Sequence, residues 1–135
     1  MARTVLVDTG FLTALLSRRD RHHQWAKHES ARHVPPWRTC EAVLSEAFFL
    51  LGAIGQPALS ALLERGVVVP TFDLATDLDA VLRLLRKYTN VPMSLADACL
   101  VRLTETMSDP LLLTTDTDFG IYRRHSRQVV PTVMP

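Results

Sequence analysis

Four acidic residues stand where they could do chemistry. Asp8 closes the apolar run VLV, Asp116 follows the run LLLTT, and Asp97 falls three positions after Ser94 at the start of a helical pattern. In open parallel sheets ligands bind beyond the carboxyl ends of the strands, where helix N-termini also converge, so these three acids share a structural address. Each also has a simpler reading. Asp8 and Asp116 suit helix N-caps, and Asp97 with Ser94 suits a capping box. Glu46 is harder to explain that way. Its helical neighbours at i−4, i−3, i+3 and i+4 are Ala42, Val43, Phe49 and Leu50, which puts its carboxylate on an apolar face. A carboxylate placed there needs compensation, from an arginine, from water reached at the edge of the core, or from a bound cation.

Carboxylates that share one site repel. Two unit charges about 4 Å apart interact by about 4 kcal/mol at an effective dielectric of about 20, so a four-acid cluster is difficult to maintain without a cation. Hard oxygen donors select magnesium or manganese. Such an ion lowers the pKa of a bound water and stabilises charge on a phosphate under in-line attack, which makes phosphodiester hydrolysis the chemistry that fits.

The elements that must position these acids can be read from the apolar patterning. At 135 residues the chain fits one domain, residues 1–135. Short β-branched runs alternate with longer helical patterns, which predicts an α/β fold with a central, mostly parallel sheet of about four or five strands flanked by helices. Strands are expected at Thr4–Asp8, Trp37–Thr39, Val67–Pro70, Leu111–Thr114 and Val129–Val133. Helices are expected at Thr9–Ser17, His22–Arg32, Glu41–Leu51, Pro57–Arg65, Leu74–Tyr88 and Leu95–Met107.

Four segments in this order, LVDTGFL, AVLSEAFFLL, SLADACLV and LLTTDTDF, resemble the acidic motifs of PIN domains, particularly VapC-type toxins. The resemblance spans nearly the whole chain. It implies a PIN-like nuclease domain in which Asp8, Glu46, Asp97 and Asp116 are the catalytic, metal-binding acids and Asp118 is a fifth that binds a second ion or a water. It implies that Thr9 and Thr115 orient carboxylates or water, and that Phe119 anchors the core. The activity implied is divalent-metal-dependent hydrolysis of RNA, with Mg2+ or Mn2+ as cofactor. The partners implied are an RNA substrate, a cognate antitoxin whose tail blocks the site, and a second copy in a homodimer. A catalytically inactive PIN-like module that binds RNA or protein is the alternative; loss of acids would mark it, and none of the four is lost.

Other classes fit less well. A receiver-type signalling domain wants adjacent acids at the end of the first strand and a late-strand lysine, but Val7 precedes Asp8 and the only lysines are Lys27 and Lys87. An aspartyl phosphotransferase wants a second acid two residues after Asp8, where Gly10 stands. The longest apolar stretch, Ala47–Gly55, is short of the roughly 20 residues that cross a bilayer, and Asp8 interrupts the N-terminal apolar run. A cytoplasmic protein without a membrane partner is therefore expected. Cys40 and Cys99 are too few for a disulfide framework and read as buried thiols.

Net charge is +1, from 15 basic and 14 acidic residues; setting the four clustered acids aside leaves 10 against 15, a balance of +5 that favours an anionic partner. Arg18, Arg19 and Arg21, and Arg123, Arg124 and Arg127, form two clusters able to flank the pocket and suited to phosphate. His22, His23, His28 and His33 are spaced for a solvated helix or an RNA-facing rim rather than a zinc site. The run Phe48–Leu51 is apolar on every side, so a second subunit could cover part of it.

Overall fold

The run Thr4–Val7 forms β1, and Val5, Leu6 and Val7 are all buried although they point to alternate faces. Burial on both faces is what a central parallel strand requires. The computed structural model, which describes residues 3–135, places α1 (Thr9–Leu16) and α2 (His23–Arg32) after it, then β2 (Trp37–Thr39), α3 (Glu41–Glu64) and β3 (Val68–Pro70). The chain continues through α4 (Leu78–Lys87), α5 (Leu95–Glu105), β4 (Pro110–Leu113) and a 3-10 turn (Thr117–Gly120). It ends with β5 (Arg123–Arg124), β6 (Gln128–Val129) and β7 (Thr132–Val133). Strand order is β3-β2-β1-β4-β7, every neighbouring pair parallel, with Val7 opposite Leu113 at the carboxyl edge. This is the expected five-stranded parallel sheet flanked by helices.

Packing fixes the carboxyl edge. Phe11 of α1 is fully buried and meets Trp25 and Trp37 edge-on, with centroids at 5.8 and 5.6 Å. Helix α1 packs on α2 and α3, and α4 on α5. Gly10, at the start of α1, lies so close to Thr115 that an added Cβ would run into the threonine hydroxyl. That glycine lets α1 begin directly beside the segment that follows β4.

Three expectations about elements need correcting. The two helices expected at Glu41–Leu51 and Pro57–Arg65 are almost continuous; the break is at Gly52, whose φ of 63° and ψ of −172° are open only to glycine, and helix resumes over 53–64. The helix expected from Leu74 begins only at Leu78, because the Asp73 carboxylate accepts from the Ala75 and Thr76 amides and the Thr76 hydroxyl and holds the chain in turns. The strand expected at Val129–Val133 is two. Val129 pairs antiparallel with Arg123, Pro131 interrupts, and only Thr132–Val133 joins the sheet. By length and apolar content Glu41–Glu64 could cross a membrane, but Gly52 divides it, and Val43, Leu44, Ala47 and Leu59 are buried in the core.

Candidate active site

Asp8 follows β1 and caps α1: Oδ1 accepts the Thr9 amide at 2.7 Å and Oδ2 accepts the Thr114 hydroxyl at 2.7 Å. The same Thr114 oxygen accepts the Asp116 amide at 3.0 Å, so one buried hydroxyl ties together the acids at the ends of two adjacent strands. Asp116 in turn caps the 3-10 turn, accepting the Asp118 amide at 2.9 Å. At the head of α5, Ser94 and Asp97 form a reciprocal capping box, with both bonds at 3.0 Å. The buried Tyr122 hydroxyl donates to the Pro92 carbonyl at 2.8 Å and lies 3.4 Å from Asp97 Oδ2. The capping roles open to Asp8, Asp97 and Asp116 are therefore occupied, and they aim the acids rather than consume them. Asp97 Oδ1, Asp116 Oδ2 and both oxygens of Asp118 carry no hydrogen bond among the described residues.

Glu46 is not buried, contrary to the reading of its neighbours. Val43 is in the core, but Phe49 and Leu50 are 82% and 64% exposed, so the apolar face that surrounds Glu46 is itself at the surface. Its place is set instead by Thr9, whose hydroxyl donates to Oε2 at 3.2 Å across the packing of α1 on α3.

The four acids feel one another. Burial pushes the Asp8 carboxyl from 3.8 up to about 6, against the two hydrogen bonds that favour its charge, and Asp97 and Asp116 add repulsion. Asp97 is raised by burial first, then by the charges of Asp116 and Glu46. Burial and the charges of Asp97, Asp118 and Asp116 hold the Tyr122 phenol above its usual range, so it stays a donor.

Four acids elsewhere are paired with cations. Buried Glu29 meets His33 at 3.0 Å and Arg32 at 3.4 Å, Arg102 bridges Asp77 and Glu105, and Arg3 meets Asp109. Among the described residues no Lys, Arg or His pairs with Asp8, Glu46, Asp97, Asp116 or Asp118. Nor, among them, do three His, Cys, Asp or Glu side chains close tightly enough to enclose a metal ion as they stand. The donor set nevertheless suits a hard divalent cation: it is all carboxylate oxygen, mutually repelling and without an internal counter-ion.

Two residues of this site escaped sequence reasoning. Thr114, rather than Thr115, carries the hydroxyl that orients Asp8. Its signal is the two-residue spacing to Asp116, which suits a hydroxyl that accepts the Asp116 amide. Tyr122 reaches Asp97 only through the tertiary fold, and no local pattern announces it. Phe119 is fully buried and packs edge-on to Tyr122, as a core anchor should.

The arginines after the last motif are corrected in part. Arg124 is buried and donates to the carbonyls of Thr104 and Met107 at the end of α5, and Arg123 donates to the carbonyls of Gly120, Ile121 and Tyr122. Both hold backbone, whereas Arg127 is exposed. Of the histidines, His33 pairs with Glu29, and His23 meets the Ala14 carbonyl at 2.8 Å. Cys40 and Cys99 are free, buried thiols that face each other.

Fold and site together define a small parallel α/β domain with carboxylates at the carboxyl edge of its sheet that, among the described residues, have no salt-bridge partner. The chain belongs to the PIN domain family, whose family model matches residues 5–124. It is similar in structure to VapC20 of Mycobacterium tuberculosis, described as a sarcin–ricin loop cleaving toxin, with a TM-score of 0.74 and 25% sequence identity over 87% of this chain and 94% of that one. Among curated proteins no significant sequence match was found.

Proposed function

We propose that this PIN domain is the ribonuclease toxin of a toxin–antitoxin module, hydrolysing RNA phosphodiester bonds with Mg2+ or Mn2+ held by Asp8, Glu46, Asp97 and Asp116, and with Asp118 taking a second ion or a water. The observation that carries this reading is the set of motif carboxylates left without a cationic partner in a chain that pairs its other buried acid, Glu29. Similarity to a toxin that cleaves the sarcin–ricin loop supports RNA as the substrate. When bound, the ion supplies an activated water and charge stabilisation at the phosphate. The chain does the rest. Thr9 and Thr114 hold Asp8 by both oxygens, the capping box fixes Asp97 at the head of α5, and Tyr122 lies against the same Asp97 oxygen that accepts the Ser94 amide. Each acid thus meets the reaction already oriented, with little rearrangement left to make.

The exposed side chains Leu50 and Ile54 border a groove of about 740 Å3 between α1 and α3, and Phe49 beside them in sequence is exposed as well. We assign this surface to the antitoxin and to a second copy of the chain, since so much exposed apolar area beside a pocket marks an interface. The setting is the cytoplasm, where RNA and the antitoxin meet. Expression alone should slow growth, and co-expression of the antitoxin should restore it.

The decisive experiment incubates purified protein with a mixed RNA pool, with and without added manganese or magnesium, and maps the cut ends. A chelator should abolish cleavage and either metal should restore it. Full activity in excess chelator, from protein confirmed free of metal, would sink the mechanism. Binding without cutting under every condition would leave the inactive, RNA-binding module.

A further inference from the structure

Helix α4 carries Arg83, Arg86 and Lys87 on exposed positions, and the β5–β6 hairpin beside it carries exposed His125 and Arg127. No acid pairs with any of these among the described residues, because Asp77 and Glu105 are taken by Arg102. The hairpin is held in place. Arg124 ties it to the end of α5, the His125 amide donates to Glu105 at 2.6 Å, and His125 and Ser126 turn the chain at φ of 49° and 67°. Lys87 Nζ donates to the Ser126 carbonyl at 3.1 Å, closing one end of a cleft of about 230 Å3 lined by Arg83, Lys87, Arg102, Glu105 and Ser126.

Two rings packed edge-on link this cleft to Asp97. Tyr88, next to Lys87, meets Tyr122 at 5.2 Å between centroids, and the Tyr88 hydroxyl accepts the Arg123 amide at 2.9 Å. Tyr122 then reaches Asp97. A carboxylate pocket repels a polyphosphate chain, so affinity for RNA has to come from cations placed beside it. We propose that the cleft between α4 and the β5–β6 hairpin is a phosphate subsite that grips the RNA backbone to one side of the scissile bond. The proposal rests on the ribonuclease reading above. It assigns to Arg83 and Lys87 direct phosphate contacts, with Arg127 closing over the strand from the hairpin. Such contacts carry no base identity, so the subsite holds the substrate and leaves sequence choice elsewhere.

The test measures binding of a fluorescently labelled, mixed-sequence single-stranded RNA by anisotropy in a chelator, over a series of salt concentrations. Each lost phosphate contact flattens the log–log salt dependence by about 0.7 on a single strand, so the Arg83→Gln/Lys87→Gln double variant should lose about 1.4 from the slope. Arg127→Gln, in the hairpin next to Ser126, should flatten it by about half as much. Lys27→Gln on α2 should leave it unchanged, and all three variants should melt like the parent. If the parent cuts RNA with manganese while the double variant keeps the parental slope, the subsite is wrong and the nuclease reading stands. If the parent neither cuts nor binds RNA, both fall together. An unchanged RNA slope with weakened antitoxin binding would overturn the proposal in favour of a protein contact.

Discussion

Replacing Asp8 with Asn should stabilise the metal-free protein at neutral pH, and the size of the gain follows from the geometry. Asp8 is only 6% exposed, and burial lifts its carboxyl from 3.8 to about 6 in the folded chain. A raised pKa means that the folded state holds the proton more tightly than the unfolded one. The stabilisation this gives is complete below about 3.8 and is gone above about 6, so across that window rising pH weakens the metal-free fold. A shift of this size amounts to about 3 kcal/mol. Asn keeps an oxygen for the Thr9 amide and turns an NH2 towards the Thr114 hydroxyl, which can accept, so shape and capping survive while the charge does not.

The assay is denaturant unfolding of both proteins in a chelator from acid to neutral pH. The difference in stability between Asp8→Asn and the parent should be small in acid and grow to as much as about 3 kcal/mol in favour of the variant above pH 6. Taking the difference removes the part of the Asp97 contribution that both proteins share and keeps its repulsion with Asp8, which the variant lacks. Manganese should then close most of that gap. An ion that binds only the folded parent adds about 2.7 kcal/mol at a hundredfold excess over its Kd, and the variant should gain little of it. A difference that does not vary with pH, or a variant weaker than the parent at neutral pH in chelator, would refute the claim that burial and repulsion outweigh the two hydrogen bonds at Asp8.

Asp97→Asn and Glu46→Gln should each lose RNA cleavage and show a smaller manganese-induced rise in Tm than the parent; equal rises in all three proteins would refute the claim that Glu46 and Asp97 hold the ion. Gly52→Ala should destabilise by about 1–3 kcal/mol in urea, because its φ of 63° with ψ of −172° is closed to alanine; an unchanged midpoint would mean that the break in α3 moves freely.

The sheet and the address of the acids were legible because both follow from local pattern. Apolar runs such as VLV and LLL form strands buried on both faces, and the residue that follows a parallel strand arrives at the carboxyl edge whatever the rest of the fold does. The break in α3 was legible to within a few residues, since glycine and proline both lie between Leu51 and Leu59, but only the backbone shows that Gly52 rather than Pro57 makes it. Where local chemistry overrode periodicity, the reading failed. The 3.6-residue repeat from Leu74 runs through residues that Asp73 has already drawn into turns.

Glu46 was nominated for a reason that the structure does not bear out. Apolar neighbours on a helix suggest core, yet α3 turns Phe49, Leu50 and Ile54 to the surface, so the carboxylate needs no ion to compensate burial. What holds its side chain is the Thr9 hydroxyl reaching across from α1, and its charge helps to raise Asp97. The case for a cation therefore does not depend on desolvation of any single acid. It rests on the arrangement: Thr9 and Thr114 spend their hydroxyls fixing Glu46 and Asp8, the capping box fixes Asp97, and the arginines nearest in sequence, Arg123 and Arg124, are turned away to hold backbone carbonyls. Neutral donors orient the acids and the available cations are withheld from them. Folding alone is not served by that division, since salt bridges like those at Glu29 would neutralise the pocket, whereas a divalent ion and a phosphate need the carboxylates charged, aimed and free.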